Sequence, residues 1–232
     1  VFTVHQKVKQ MSESEQGGKI AGKLNDMKPI DINNLTPQDI KKVMLGLGMK
    51  VFTKPYDMTK GAIRTADNHS GKFNDWLFMI YHDDKGVLQG EIVEGTTDAG
   101  LYYRTHPMHP DGTAIIQHSK QYPLSHTYME TNGHRGEEAF RQTGLMDYFR
   151  DPNYDEYLDF VNPESGKNHA TNEHNMGTLG DDVHTWSAGC SGTVKKLMRK
   201  LYNLAKLQIK HGLGAKFSYA MLHENDFENQ TK

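Results

Sequence analysis

The feature that most constrains the fold is a pattern of punctuation between residues 75 and 160. DWLFMIYHD (75–83), LQGEIVEGTT (88–97), GLYYRTHP (100–107) and GTAIIQHSKQYP (112–123) follow one another across short breaks rich in Asp, Lys and Gly. HTYMETNGHRGEEAFRQ (126–142) and GLMDYFRDPNYDEYLDF (144–160) continue the series, the last ending in an acidic turn. Segments this short, rich in aromatic and β-branched residues and bounded by turn formers, read as strands. KFSYAMLHENDF (216–227) reads as a last strand. Only two stretches carry clear helix signals. In TVKKLMRKLYNLAKLQIKH (193–211), Val194, Leu197, Met198, Leu201, Leu204, Ala205 and Ile209 recur at helical spacing with Lys and Arg between them. In LTPQDIKKVMLGLG, Thr36 suits an N-cap, Pro37 the first helical position and Asp39 the first turn, with Gly46 or Gly48 as the stop. The expected fold is mainly β, with a short N-terminal helix docked on one side and one long helix late in the chain.

Residues 1–35 differ from the remainder. SESEQGGKIAGKLNDMK is polar and short of large apolar side chains, so residues 1–35 read as an arm or linker and 36–232 as the main domain. Val1 in place of Met fits a processed or a truncated piece. Mean hydropathy is −0.74, but eleven Tyr, nine Phe and twelve Met suffice for a core. A net charge of −2 gives no reason to expect nucleic acid, and no apolar stretch approaches the roughly 20 residues of a membrane span.

The one cysteine sits in HTWSAGCSG (184–192), between glycines and serines and just ahead of the long helix. No intrachain disulfide is possible. A thiol near a helix N-terminus is favoured as thiolate, and small residues let a substrate approach. Histidine suits as its base, and His169, His174 and His184 lie upstream. Backbone N–H groups at Gly189 and Cys190 are candidates for an oxyanion hole. Trp186 reads as an anchor beneath the turn.

NEHNMGTLGDDVHTWSAGCSG resembles the active-site segment of the L,D-transpeptidase (YkuD-type) family. It also resembles, more closely than the broad family, a phage and prophage branch with Asn-x-His followed by Trp-Ser-Ala-Gly-Cys. The likeness runs over about residues 48–227. The resemblance implies a β-rich L,D-transpeptidase-like fold, with Cys190 as nucleophile, His174 as base and Ser187 bracing the turn or orienting the imidazole. It implies acyl transfer or hydrolysis at a peptidoglycan stem peptide, in a phage virion or the bacterial cell envelope. The N-terminal arm would then contact other virion proteins. The chain departs from the broad family in three ways. Ala188 stands where that family has His before Gly-Cys. The His174–Ser187 spacer is short, which keeps His169 as reserve base. Ser191 and Gly192 replace a basic or amide residue after the cysteine. These departures favour an alternative, a weakly active or inactive virion or wall-binding protein on the same scaffold.

Other residues belong to the same site or to none. His134 and Arg135 in GHRG either line the cleft, Arg gripping a carboxylate, or form a strand-end turn making backbone bonds; Trp186, His184 and His169 are the further candidate substrate contacts. His106 and His109 in HPMHP are interrupted by prolines. His169, His174, His184 and Cys190 fit no zinc spacing, and DPNYDEYLD lacks the glycine and terminal Glu of a calcium loop. No metal or other cofactor is expected.

Overall fold

The computed structural model describes residues 31–177 and 182–228. The arm assigned to residues 1–35 lies outside them as far as residue 30. Ile32–Asn34 forms a 3-10 turn, and Ile32 and Leu35 already pack on the body. Helix α1 (Pro37–Gly46) starts where its cap predicts. Thr36 and Asp39 form a reciprocal capping box, Pro37 takes the first turn, and Gly48, with φ +71°, follows the end. Its Ile40, Val43 and Met44 are fully buried.

Eight strands form one mixed sheet. In chain order they are β1 (Thr59–Arg64), β2 (Asp75–His82), β3 (Leu88–Gly95), β5 (Lys120–His134), β6 (Glu137–Gln142), β9 (Glu173–Asn175), β10 (Ser191–Thr193) and β11 (Lys216–His223). Their spatial order is β10-β9-β6-β5-β11-β1-β2-β3. Two neighbours are parallel, β1 with β11 and β9 with β10. The two edges meet: the N–H of Thr96, just past β3, donates to Gly192 O at 2.8 Å, and the Gly192 N–H returns a bond to Thr96 O at 2.9 Å. A smaller antiparallel sheet holds β4 (Thr113–Ile116), β7 (Met146–Asp151) and β8 (Val161–Lys167) in the order β4-β7-β8.

Strand alternation divides the core in two. Ala62, Leu77, Met79, Tyr219 and Met221 face helix α3 (Lys195–Lys210), which buries Met198, Leu201, Tyr202 and Ala205. Ile63, Phe78, Ile80, Ala220 and Leu222 face α1. The α3 stripe is rotated from the expected one: Ile209 is exposed, and Gln208 is buried in its stead. Gln208 is tolerated there because its Oε1 accepts the Met58 N–H at 2.8 Å and its Nε2 donates to Gly214 O.

Two expectations are corrected. GLYYRTHP is not a strand but holds the short helix α2 (Leu101–Thr105). Aromatic propensity is overridden because this helix buries Arg104, whose guanidinium lies 2.5 Å from the Asp151 carboxylate and donates to Tyr157 O. The last strand stops at His223, and α4 (Glu224–Glu228) follows; Asp226 Oδ2 accepts the His223 N–H at 2.8 Å and turns the chain into it. Short strands β1, β8, β9 and β10 lie outside the segments read as strands. Among the described residues no helix is long and apolar enough to cross a membrane.

Candidate active site

Three short pieces of backbone build the site. Parallel pairing of β9 with β10 sets Ser191 opposite Glu173 and Gly192 opposite His174. The strands approach so closely at Gly192 that a Cβ there would stand 2.1 Å from His174 O. Cys190 immediately precedes β10, and its position is fixed by the turn before it. Ser187 Oγ donates to Cys190 O at 2.8 Å and accepts the Gly189 N–H at 3.0 Å. Gly189 has φ +131°, a conformation open to glycine and few others. The third piece is the hairpin between β5 and β6. Arg135 and Gly136 have φ of +49° and +85°, as a two-residue type I′ turn requires, and His134 pairs with Glu137 across it.

These pieces bring Cys190, His174 and His134 together. One ligand-capable atom of each lies within 4.8 Å of the other two. The two imidazoles stack with centroids 4.1 Å apart and planes 19° from parallel. His174 Nδ1 bonds to Asn175 O at 2.8 Å; a carbonyl only accepts, so this ring carries its proton on Nδ1 and presents the Nε2 lone pair. That Nε2 is buried without a protein partner, as is His134 Nε2.

Burial dominates the electrostatics. It pushes the Cys190 thiol up to about 11, against the opposing pull of the Asn172 N–H and the Arg135 charge. It holds His174 down to about 4, with the neighbouring His134 pushing the same way. The resting pair is therefore neutral thiol and neutral imidazole. This corrects the expectation of a thiolate favoured by a helix dipole. Helix α3 begins at Lys195, beyond the whole of β10, and dipole effects fade within a turn of the helix end. The S–H points to Ala170 O at 3.7 Å.

Cys190 opens on a cavity of about 410 Å³ whose walls include His134, Arg135, Arg150, His169 and Trp186. His134, Arg135 and Trp186 also line a smaller cavity of about 80 Å³ that His174 shares. Trp186 is 43% exposed. It is not an anchor under the turn but a cavity wall, its indole so close to Gly177 that a Cβ there would stand 2.9 Å from it. His169 lines the same cavity but is not one of the close trio, its Nε2 bonded to Glu164 at 2.9 Å and beside Arg150 at 3.1 Å. His184 is exposed, pairs with Asp182 at 3.3 Å and lines neither cavity. The Gly189 N–H is occupied by Ser187, which leaves the Cys190 N–H as the available one of the two expected oxyanion donors.

Asn172 and Arg150 are site residues that the sequence reading missed. Asn172 holds His134 through its side chain and receives Ser191 N–H on its carbonyl. Arg150 Nε pairs with Glu164 at 2.9 Å and Nη1 donates to Gly112 O at 3.1 Å, so its fork is held against the wall. The Asn-x-His spacing of Asn172 and His174 was the available signal for the first. His134, His174 and Cys190 are the right residue types for zinc. An ion bound by both rings would have to lie in both ring planes, and near-parallel stacked planes do not share one.

The class defined by fold and site is a β-rich domain with a buried Cys–His pair, backed by a second imidazole, whose cysteine lines a surface cavity. No family model, no curated protein and no solved structure matches this chain.

Proposed function

We propose that the protein is a cysteine acyl-transfer enzyme of L,D-transpeptidase-like type, acting on peptidoglycan stem peptides. The observation that carries this reading is the neighbourhood of Cys190, which lines a cavity large enough for a peptide segment, and His174, whose Nε2 is buried without a protein partner. Substrate binding displaces water and brings the carbonyl to sulfur. The S–H proton passes to His174 Nε2 as the sulfur–carbon bond forms. Collapse of the adduct breaks the C–N bond, and the leaving amine takes the proton from His174. Water or a second amine then attacks the acyl-enzyme, returning the thiol. Arg135, exposed at the rim of both cavities, supplies a cation for a stem-peptide carboxylate. In this reading the protein works at the bacterial wall, as part of a phage virion or in the cell envelope.

The high thiol pKa favours a second reading, a virion or wall-binding scaffold with no turnover. Digestion of purified sacculi separates the two. Wild type is compared with Cys190→Ala and His174→Ala, and released muropeptides are read by mass spectrometry. New fragments made by wild type and by neither variant are expected. Walls left intact by folded wild type, with walls retained in a pull-down, would establish the scaffold.

A further inference from the structure

The neutral His134 imidazole has no role in the steps above, yet its orientation is fixed by a chain of bonds from the sheet. The Gln142 N–H, on β6, donates to Asn172 Oδ1 at 2.9 Å. That bond sets which end of the Asn172 amide is oxygen, so the opposite end, Nδ2, is a donor. Nδ2 lies 2.9 Å from His134 Nδ1. A donor facing Nδ1 requires the lone pair there, so the neutral ring carries its hydrogen on Nε2. Burial first, then the Arg135 charge, lowers the His134 pKa from its ordinary value, which keeps the ring neutral. Nε2–H is thus a buried donor with no protein acceptor. His174 is fixed in the opposite tautomer by Asn175 O. Two stacked imidazoles at one thiol therefore present one lone pair and one N–H.

We propose that His134 is the side-chain oxyanion donor of this site, held in its Nε2–H tautomer by the Asn172 amide. The proposal rests on Cys190 acting as a nucleophile toward a carbonyl. As sulfur bonds to the carbonyl carbon and its proton moves to His174, the carbonyl π pair moves to oxygen. His134 Nε2–H and the Cys190 N–H receive that oxygen. A donor works when it lies about 2.7–3.1 Å from the oxyanion. One ring nitrogen of His134 lies within 4.8 Å of Cys190 Sγ, a span that an oxygen on the attacked carbon can bridge. A neutral imidazole polarising a carbonyl is sound chemistry, because the ring gives a hydrogen bond without giving up its proton. The site thus gains from the β5–β6 hairpin an imidazole that it lacks at Ala188.

The test compares two reactions of Cys190 in the full chain. Iodoacetamide alkylates sulfur without forming an oxyanion; p-nitrophenyl acetate acylates it through one, releasing p-nitrophenolate. Wild type, His134→Phe, Asn172→Asp and His174→Ala are measured for both, with modification at Cys190 verified by mass spectrometry. His134→Phe is expected to slow acylation about 100-fold and to leave alkylation within about threefold, which also shows that the thiol pocket is intact. Asn172→Asp keeps an acceptor for the Gln142 N–H but demands a hydrogen on His134 Nδ1. It is expected to slow acylation similarly above the His134 pKa and to recover as acid restores a hydrogen to Nε2. His174→Ala is expected to slow both reactions. Acylation by His134→Phe at the wild-type rate, or an equal loss of both reactions, would overturn the proposal; so would stoichiometric zinc binding that His134→Phe abolishes. If wild type acylates but releases no muropeptides, the wall substrate fails and the donor role stands. If wild type does not acylate at all, both fail.

Discussion

At the scale of single residues, the site is defined by what burial does to ionisation. Cys190 is raised to about 11 and His174 lowered to about 4, so at neutral pH neither is charged. The thiolate becomes plentiful only as pH climbs toward the raised value. The iodoacetamide rate is therefore expected to keep rising beyond pH 8.5, where an ordinary thiol would be levelling off. A pH series read by intact-protein mass spectrometry checks this, and a plateau below pH 8 would contradict it. Arg135→Ala removes the one cation that pulls the thiol pKa down. It is expected to slow alkylation at pH 8 by a few-fold. Lys60 and Glu173 show the same economy deeper in the core. Burial pushes the lysine down and the acid up, each partner opposes the other's shift, and their atoms meet at 2.5 Å. Lys60→Met alone is expected to cost about 3–5 kcal/mol, because it strands a buried carboxylate, whereas Lys60→Met with Glu173→Leu costs far less. Urea unfolding of the three proteins checks the difference.

Among the elements, the parallel pair β9 and β10 is the most consequential and the least visible in the sequence. Each strand has three residues, too few for any periodicity. Their register depends on Gly192 meeting His174 O without a side chain. Gly192→Ala is expected to destabilise by about 2–3 kcal/mol and to slow Cys190 alkylation by displacing the thiol; denaturant unfolding and alkylation kinetics measure the two effects. The helices were legible because their signals are local: Thr36, Pro37 and Asp39 mark the start of α1, and apolar spacing marks α3. Helix α2 was not, because what holds it is the Arg104–Asp151 contact with β7. The same division runs through the site. The cysteine turn, Ser187 and the GHRG hairpin stand out as residue types and turns. The bond from Gln142 through Asn172 to His134, and the exclusion of water that neutralises the thiol, exist only once the strands are side by side.

For the whole molecule, the sheet meets itself at Thr96 and Gly192, with α3 against one face and α1 against the other. Buried ionisable groups tie its stability to pH. Burial lowers His174 to about 4 and His126 to about 3, so between those values and the ordinary 6.5 the unfolded chain binds more protons at these sites than the folded one. Their contribution is complete above pH 6.5 and is lost as pH falls. Asp75, raised to about 7 by burial and by the nearby Asp98, works in the opposite direction between 3.8 and 7. His118, His134, His169 and His223 are lowered as well, and Asp57, Asp151 and Glu173 raised, so six histidines stand against four carboxylates and acidification brings a net loss. The melting temperature is expected to fall from pH 6.5 to pH 4.5, and His126→Gln to flatten that fall. Calorimetry across the range checks both; a melting temperature that rises toward pH 4.5 would contradict this account.

Trp186, lying across Gly177 at the mouth of the cavity, also has an optical consequence. The chain has one other tryptophan, Trp76 in β2. In a Trp76→Phe protein all indole emission would come from the rim of the cavity. A peptide settling over Cys190 would strip water from that ring and shift its light toward the blue. Occupancy becomes something a fluorimeter can follow in real time, with no label and no turnover.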